Sequence, residues 1–376
     1  MTWVFDHAWM TGVFGDKAVA AHLSAEVQLA HMLRVEAAHS RSLGNERAAR
    51  AIEAAQICPE DLTEGTAVDG LPVPELVRCL KAQISSELHG DIHRGLTSQD
   101  VMDTAFVLSL KDIFPIFRQR LSALQEDLAQ LAQAHGDAPL MGRTRMQAAL
   151  PITVADRIAT WRMPLERHLD RLDEISVRVL SVQCGGPVGL ATGGATLAAA
   201  LGLAVPDKSW HAMRDGFGEL ASWLSLVSGS LGKMGMDISL MTQQGVDEMR
   251  LRGGGASSAM PHKQNPILAE LLVTLSRYNA VQLGGMHQAL IHEQERSGAS
   301  WALEWMILPA MLHCTTRGLS AAQELLTQVG NHWRLRHGAY GAIIGVAFKA
   351  LSRGATFVNS VPCSNQLFGA AAPHRV

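Results

Sequence analysis

Residues 107–131 read VLSLKDIFPIFRQRLSALQEDLAQL. Within them Val107, Leu110, Phe114, Phe117, Leu121, Leu124, Leu128 and Leu131 follow an unbroken three-four alternation. That spacing places all eight on one stripe of a long helix, the a/d seam of coiled-coil-like packing. The same alternation returns in Leu220, Leu224, Val227, Leu231, Met234, Ile238 and Met241, and again in Trp301, Trp305, Leu308, Leu312, Thr315, Leu319 and Ala322. Residues 154–179 and 267–290 carry looser helical patterns. Five helices of this length exceed what an ordinary globular core needs. The expectation is an all-α protein built as a bundle of long rods, with Pro115 and Pro164 bending two of them or marking their first turns.

On either side of these rods the pattern changes. Before Asp103 the helices look shorter: residues 18–42 read as one helix, and residues 57–74, rich in Pro, Gly and Thr, as a loop. This suggests an N-terminal helical domain over 1–105 and a central bundle over 106–330. Residues 331–376 form a shortened or altered C-terminal segment. After Glu324 there is no Asp or Glu, the basic residues are Arg334, Arg336, Lys349, Arg353 and Arg375, and the amphipathic pattern fades.

Composition limits the function classes. The chain has 376 residues, with Lys+Arg at 32 against Asp+Glu at 35 and a net charge of -3. Near-neutrality without a polybasic run argues against nucleic acid or an anionic membrane surface as partner. Hydrophobic residues at 47% and charged residues at 18% exclude disorder for most of the chain. A mean hydropathy of +0.09 points to surface buried between subunits. Cys58, Cys79, Cys184, Cys314 and Cys363 are too scattered for a disulfide framework or a zinc site, and read as reduced thiols of a cytoplasmic protein. The opening MTWVFDHAWM has no basic n-region. Residues 179–206 carry no charge and are long enough to span a bilayer, but Gln183 and two Gly-rich stretches make a buried loop and turn the better reading.

Three segments between the rods carry chemistry. His93-Arg94-Gly95-Leu96-Thr97-Ser98-Gln99-Asp100 precedes the first stripe. Thr97 and Ser98 can offer hydroxyls and amides to an anion at a helix N-terminus, or simply cap it with Asp100 in the first turn. Gly142-Arg143-Thr144-Arg145-Met146-Gln147 sets two arginines ahead of a helix, suited to bidentate carboxylate binding or to a solvated loop. The third runs from Gly253-Gly254-Gly255-Ala256-Ser257-Ser258 to Met260-Pro261-His262-Lys263-Gln264-Asn265-Pro266. Glycines loosen one side of this loop and prolines fix the other. A Ser among backbone amides near Lys⁺ can donate or accept a proton, and Lys263 with Asn265 can hold a carboxylate as it becomes enolate-like.

Together these segments resemble the signature regions of the fumarase/aspartase superfamily. The third is the most specific, being similar to the family's Gly-Ser-Ser-x-Met-Pro-x-Lys-x-Asn-Pro loop with Ala256 in place of glycine. Order and approximate spacing are kept to about residue 325. Phe14-Gly15-Asp16, residues 32–38, Thr97 to Thr104 and Gln294 to Trp305 look like the cycloisomerase branch. The Arg-Tyr opening expected of an adenylosuccinate lyase is missing.

The resemblance implies a homotetramer whose long helices form a twenty-helix core, with each active site drawn from three subunits. It implies a small polycarboxylate substrate and no cofactor or metal. The implied reaction is intramolecular addition of a carboxylate across a double bond of 3-carboxy-cis,cis-muconate, with a fumarate-releasing lyase as the alternative. Carried over, Ser257 delivers the proton, with Ser258 second. Lys263 and Asn265 stabilise the charge. His93, Thr97, Ser98, Thr144 and Gln147 grip carboxylates, joined by Arg145 and, more weakly, Gln243. Lyases of the family have His where this chain has Arg145. Arginine does not give up its proton, so Arg145 suits holding a carboxylate or pairing with Glu270.

Overall fold

The computed structural model describes residues 4–5, 7–190, 194–256, 260, 263–330 and 333. Short helices come first: α1 (Thr11–Phe14), α2 (Lys17–Leu23), α3 (Ala25–Ser42), α4 (Glu46–Ala54), α5 (Thr63–Asp69) and α6 (Val73–Gln83). The long helix α7 (Ser98–His135) follows, then a hairpin of β1 (Pro139–Thr144) and β2 (Gln147–Thr153). After it come α8 (Val154–Val179), a short α9 (Gly194–Leu201) and α10 (Asp215–Met241). A small hairpin of β3 (Gly255–Ala256) and β4 (Gln264–Asn265) leads to α11 (Ile267–Gln288) and α12 (Gly298–Gln328).

The stripes behave as the periodicity predicts. On α7 every member is buried except Leu131, which is half-buried. The α10 stripe is buried throughout, while on α12 Trp305 alone turns outward. At 1.5 Å per residue the 38 residues of α7 extend about 57 Å. Local signals set the ends. Asp156 Oδ2 accepts from the Thr153 amide at 2.8 Å, and Thr153 Oγ1 accepts from the Asp156 amide at 3.2 Å, a capping box that starts α8. Ser297 Oγ accepts from the Ser300 amide at 3.3 Å and starts α12.

Cross-contacts show that successive rods run antiparallel. Between α7 and α8, Arg118 pairs with Asp173 while the Ala155 amide donates to Gly136 O. Between α8 and α10, Trp161 Nε1 donates to Asp237 at 2.7 Å and Arg178 donates to Glu219. Asn279 of α11 donates to Ser228 of α10 at 3.1 Å and to Thr315 of α12 at 2.9 Å. The α10–α11 crossing is close because of Gly232 and Gly235. A Cβ at Gly232 would lie 2.5 Å from Ser276 Cβ, and one at Gly235 would lie 2.5 Å from Ala269 O.

A second apolar cluster sits under the N-terminal helices. It joins Leu29, Val35, Ile52, Leu76 and Leu80 to Val101, Ala105 and Leu108 of α7, and to Leu197 and Leu201 of α9. Val107 and, from Leu110 onward, the rest of the α7 stripe pack into the main bundle instead.

Several expectations need correction. Residues 18–42 are two helices, because Ser24 turns to ψ 156° and caps α3 by accepting from the Val27 amide at 3.4 Å. Residues 57–74 are not a loop: a 3-10 turn (Pro59–Leu62) and α5 lie within them, and α6 begins at Val73. Residues 179–206 hold α9, closed by the Val182 amide donating to Ala204 O at 2.9 Å. Among the described residues no helix is long and apolar enough to cross a membrane. Ser257, Ser258 and residues 331–376 apart from Trp333 lie outside the described residues.

Candidate functional site

Thr97 occupies the N-cap of α7 and is buried, with Ser98 half-buried beside it. The plainer reading of Asp100 holds, and the residue does more than cap. Its Oδ2 accepts from the Thr97 amide at 2.9 Å and from the Gly186 amide at 2.9 Å. Its Oδ1 accepts from the Gly185 amide at 2.8 Å and lies 2.8 Å from His211 Nε2. Asp100 is fully buried, so four donors compensate a charge that water does not reach. Ser209 Oγ lies 3.0 Å from His211 Nδ1 and donates to Gln183 Oε1 at 2.9 Å. The Gly185-Gly186 loop is thereby pinned to the start of α7. Burial pushes the nearby Cys184 thiol up to about 11, and the Asp100 charge adds to the shift, so this cysteine is no nucleophile.

Arg296, from the segment before α12, donates to Thr97 Oγ1. A cation, a hydroxyl and a helix N-terminus thus meet at one point, which favours an anion there. His93 stands four residues upstream, its Nδ1 2.6 Å from Glu36 Oε1.

One turn into α7 a buried ionic cluster anchors the same region. Arg214 donates from Nη1 to Asp103 Oδ2 at 2.6 Å and from Nε to Glu304 Oε1 at 2.8 Å. Trp301 Nε1 donates to Asp103 Oδ1 at 3.0 Å. The guanidinium lies 4.9 Å from the Trp210 ring centre and 4.7 Å from that of Phe217. Burial works against the Glu304 charge, but the hydrogen-bonded Arg214 guanidinium, with the His292 ring 3.8 Å away, holds the carboxyl below its usual range. An apolar cavity of about 340 Å³ opens beside this cluster, between Leu23, Phe106, Phe217 and Trp305. None of the candidate site residues named from the sequence lines it, although Met32, Met102, Asp103, Glu304 and Trp305 of the segments that resemble the cycloisomerase branch do.

The second segment is not a loop ahead of a helix but the tip of the β1–β2 hairpin, which pairs Thr144 with Gln147. Arg145 and Met146 take φ 49° and 67°, the two left-handed residues of a tight hairpin turn. Neither is glycine, so the tip holds roughly 1–2 kcal/mol of strain per residue. Thr144, Arg145 and Gln147 are all exposed. Within the chain Arg145 does not pair with Glu270, which sits exposed in the first turn of α11. Its neighbour Arg143 does pair, donating to the buried Glu248 at 3.1 and 2.7 Å, and this ties the hairpin to the end of α10.

Gln243 is exposed in the turn just beyond α10, where its carbonyl accepts from the Val246 amide at 2.9 Å. In the third segment Asn265 is half-buried on β4 opposite Gly255, and Lys263 is exposed. The structure therefore groups His93, Thr97 and Ser98 at one locus. Thr144, Arg145 and Gln147 stand at a second, and Lys263 with Asn265 at a third. Among the described residues no hydrogen bond or ion pair joins the three. Glu36 and Arg296 fall within segments that resemble the cycloisomerase branch, but neither they nor His211 take a role from sequence, since each lies 57 or more residues from its partner at the first locus.

The sequence profile of the family described as lyase matches residues 14–279. A 3-carboxy-cis,cis-muconate cycloisomerase of Pseudomonas aeruginosa is 39% identical over 282 residues, 71% of this chain and 61% of the relative. The chain thus spans less than two thirds of that relative's length. The crystal structure of the 3-carboxy-cis,cis-muconate lactonizing enzyme from Pseudomonas putida superposes with a TM-score of 0.80 at 33% identity, covering 86% of this chain and 77% of that one. The fumarate lyase of a Mesorhizobium species superposes with a TM-score of 0.79 at 31% identity, covering 91% and 88%.

Proposed function

The chain belongs to the lyase family of the fumarase/aspartase superfamily, and we propose that it is a cycloisomerase of 3-carboxy-cis,cis-muconate. One structural observation carries the reading: Arg296 donates to Thr97 at the N-terminus of α7, an arrangement that suits an anion. In the proposed reaction a substrate carboxylate oxygen bonds to one carbon of a conjugated double bond. The π electrons move onto the neighbouring carbon and its carboxylate, giving an enolate-like dianion. Lys263 and Asn265 stabilise that charge, and a proton from Ser257 on carbon completes the lactone. Thr97, Ser98, His93 and Arg296 grip one carboxylate. Thr144, Arg145 and Gln147 grip another, with Gln243 and Ser258 at the margin. The chemistry is redox-neutral and needs only protein groups.

The separation of the three loci within one chain supports a site assembled between subunits of a homotetramer. Leu226 and Met236 of α10, Val281 of α11 and Met306 of α12 expose apolar surface along the rods, which suits burial against other copies in a twenty-helix core. A cytoplasmic location agrees with free thiols at Cys58 and Cys79.

Purified protein is expected to remove the ultraviolet absorbance of 3-carboxy-cis,cis-muconate. Ser257→Ala is expected to abolish that turnover while light scattering shows the same assembly. Near-normal turnover would move the proton donor to Ser258. The likeness to a fumarate lyase sustains a second reading, in which a succinyl substrate releases fumarate. Fumarate release without muconate turnover would establish that reading instead.

A further inference from the structure

Glu36 is a fully buried carboxylate on α3, on a helix face shared with His39 and Ser40. All three spend polar atoms on one short segment. Ser40 Oγ donates to Asp91 O at 3.0 Å, and His39 Nε2 lies 2.8 Å from Arg94 O. Glu36 Oε2 accepts from the His93 amide at 3.1 Å, while Oε1 lies 2.6 Å from His93 Nδ1. Among the described residues Glu36 has no other hydrogen-bond or ion-pair partner. His93 itself takes φ 57°, a conformation that L side chains avoid unless their surroundings impose it.

A staple for this turn would need only the backbone bond. The second contact fixes the ring: because a carboxylate accepts only, Nδ1 carries the hydrogen, and Nε2 is the atom left for a ligand. The His93 side chain is one-fifth exposed (20%), and Nε2 has no partner among the described residues. The other charged or titratable groups around the segment are His39 from α3, Asp91 and Arg94, which pair with each other at 3.3 Å, and Arg296 at Thr97.

We propose that Glu36 is a positioning residue for the reaction. Its paired hold on the His93 amide and Nδ1 fixes the orientation of the ring and keeps the hydrogen on Nδ1, so that Nε2 is aimed at the bound substrate. This rests on the cycloisomerase reading and adds to it the residue that aims His93.

Glu36→Gln keeps the shape and removes the charge. The carboxylate that holds the hydrogen on Nδ1 is then gone. With 3-carboxy-cis,cis-muconate as substrate, KM is expected to rise about tenfold and kcat to stay within about threefold, because the ring loses the contact that aims Nε2. His93→Gln is expected to match it, and the double variant to be no worse than His93→Gln alone. A KM unchanged in Glu36→Gln, or effects that multiply in the double variant, would overturn the proposal. An independent readout is the 15N spectrum of histidine-labelled wild type, with the His93 signal assigned by its absence in His93→Gln. A hydrogen on Nδ1 supports the assignment, and a bare Nδ1 overturns it, even if Glu36→Gln does not assemble. If wild type leaves carboxymuconate untouched, the cycloisomerase reading falls, while the spectrum still decides the role of Glu36.

Discussion

Arg214→Met tests the logic of the buried ionic cluster. The guanidinium is fully buried and donates to two carboxylates, Asp103 and Glu304, each about 4% exposed at the side chain. Methionine fills similar space but leaves both acids without their cation. Breaking a buried pair costs about 3–5 kcal/mol. The loss has a ceiling, since a stranded carboxyl can take up a proton. From an ordinary carboxyl range near 4, neutralising one group at pH 7 costs about 4 kcal/mol, and at pH 5 only about 1.5 kcal/mol. Asp103 keeps the Trp301 indole N–H, so Glu304 is the acid expected to neutralise. In the variant its folded pKa is raised above the unfolded value. Its contribution is therefore present at acid pH and lost as pH rises. Urea unfolding followed by far-ultraviolet circular dichroism, at fixed protein concentration, is expected to show a loss of about 4 kcal/mol at pH 7. At pH 5 the loss should be about 2.5 kcal/mol smaller. Arg214→Met combined with Asp103→Asn and Glu304→Gln should recover more than half of it. A loss under about 1 kcal/mol, or one equal at both pH values, would refute the reasoning.

Two further outcomes follow from the packing. Burial, aided by Arg171 and Arg167, depresses His168 to about 4, so the fold holds it neutral beside Ser230. That stabilisation is complete above the ordinary histidine range and is lost as pH falls from about 6.5 towards 4. Denaturant unfolding should show wild type losing about 2–3 kcal/mol more than His168→Gln between pH 7 and 4.5. Gly235→Ala would place a methyl 2.5 Å from Ala269 O, so a loss of about 1–3 kcal/mol is expected in the same unfolding assay, with none at the open Gly229→Ala.

The rods were legible because their signal repeats: eight apolar positions on α7 agree with one another, and no single one decides. The break at Ser24 was not, since a lone serine inside an apolar run looks tolerable until its side chain is seen to cap the next turn. The β1–β2 hairpin escaped because its turn is Arg-Met, where Asn-Gly would have announced the left-handed geometry. At the candidate site, Thr97 and Asp100 were readable as neighbours in sequence. Glu36, His211, Arg214 and Arg296 acquire meaning only through partners that the fold delivers from 57 to 199 residues away. Long-range pairings of this kind leave no local periodicity to detect.

The helix α7 serves two apolar clusters in succession, the N-terminal one through Val101, Ala105 and Leu108 and the bundle through Val107 and, from Leu110 onward, the rest of its stripe. It therefore acts as a phase ruler. Each residue inserted or deleted near Ser109 would turn everything downstream by about 100° relative to everything upstream. Only length changes near whole multiples of the helical repeat, such as seven or eleven residues, would let both faces meet their cores again. Natural variation in this stretch should accordingly be substitution at constant length, with insertions confined to the connections between rods.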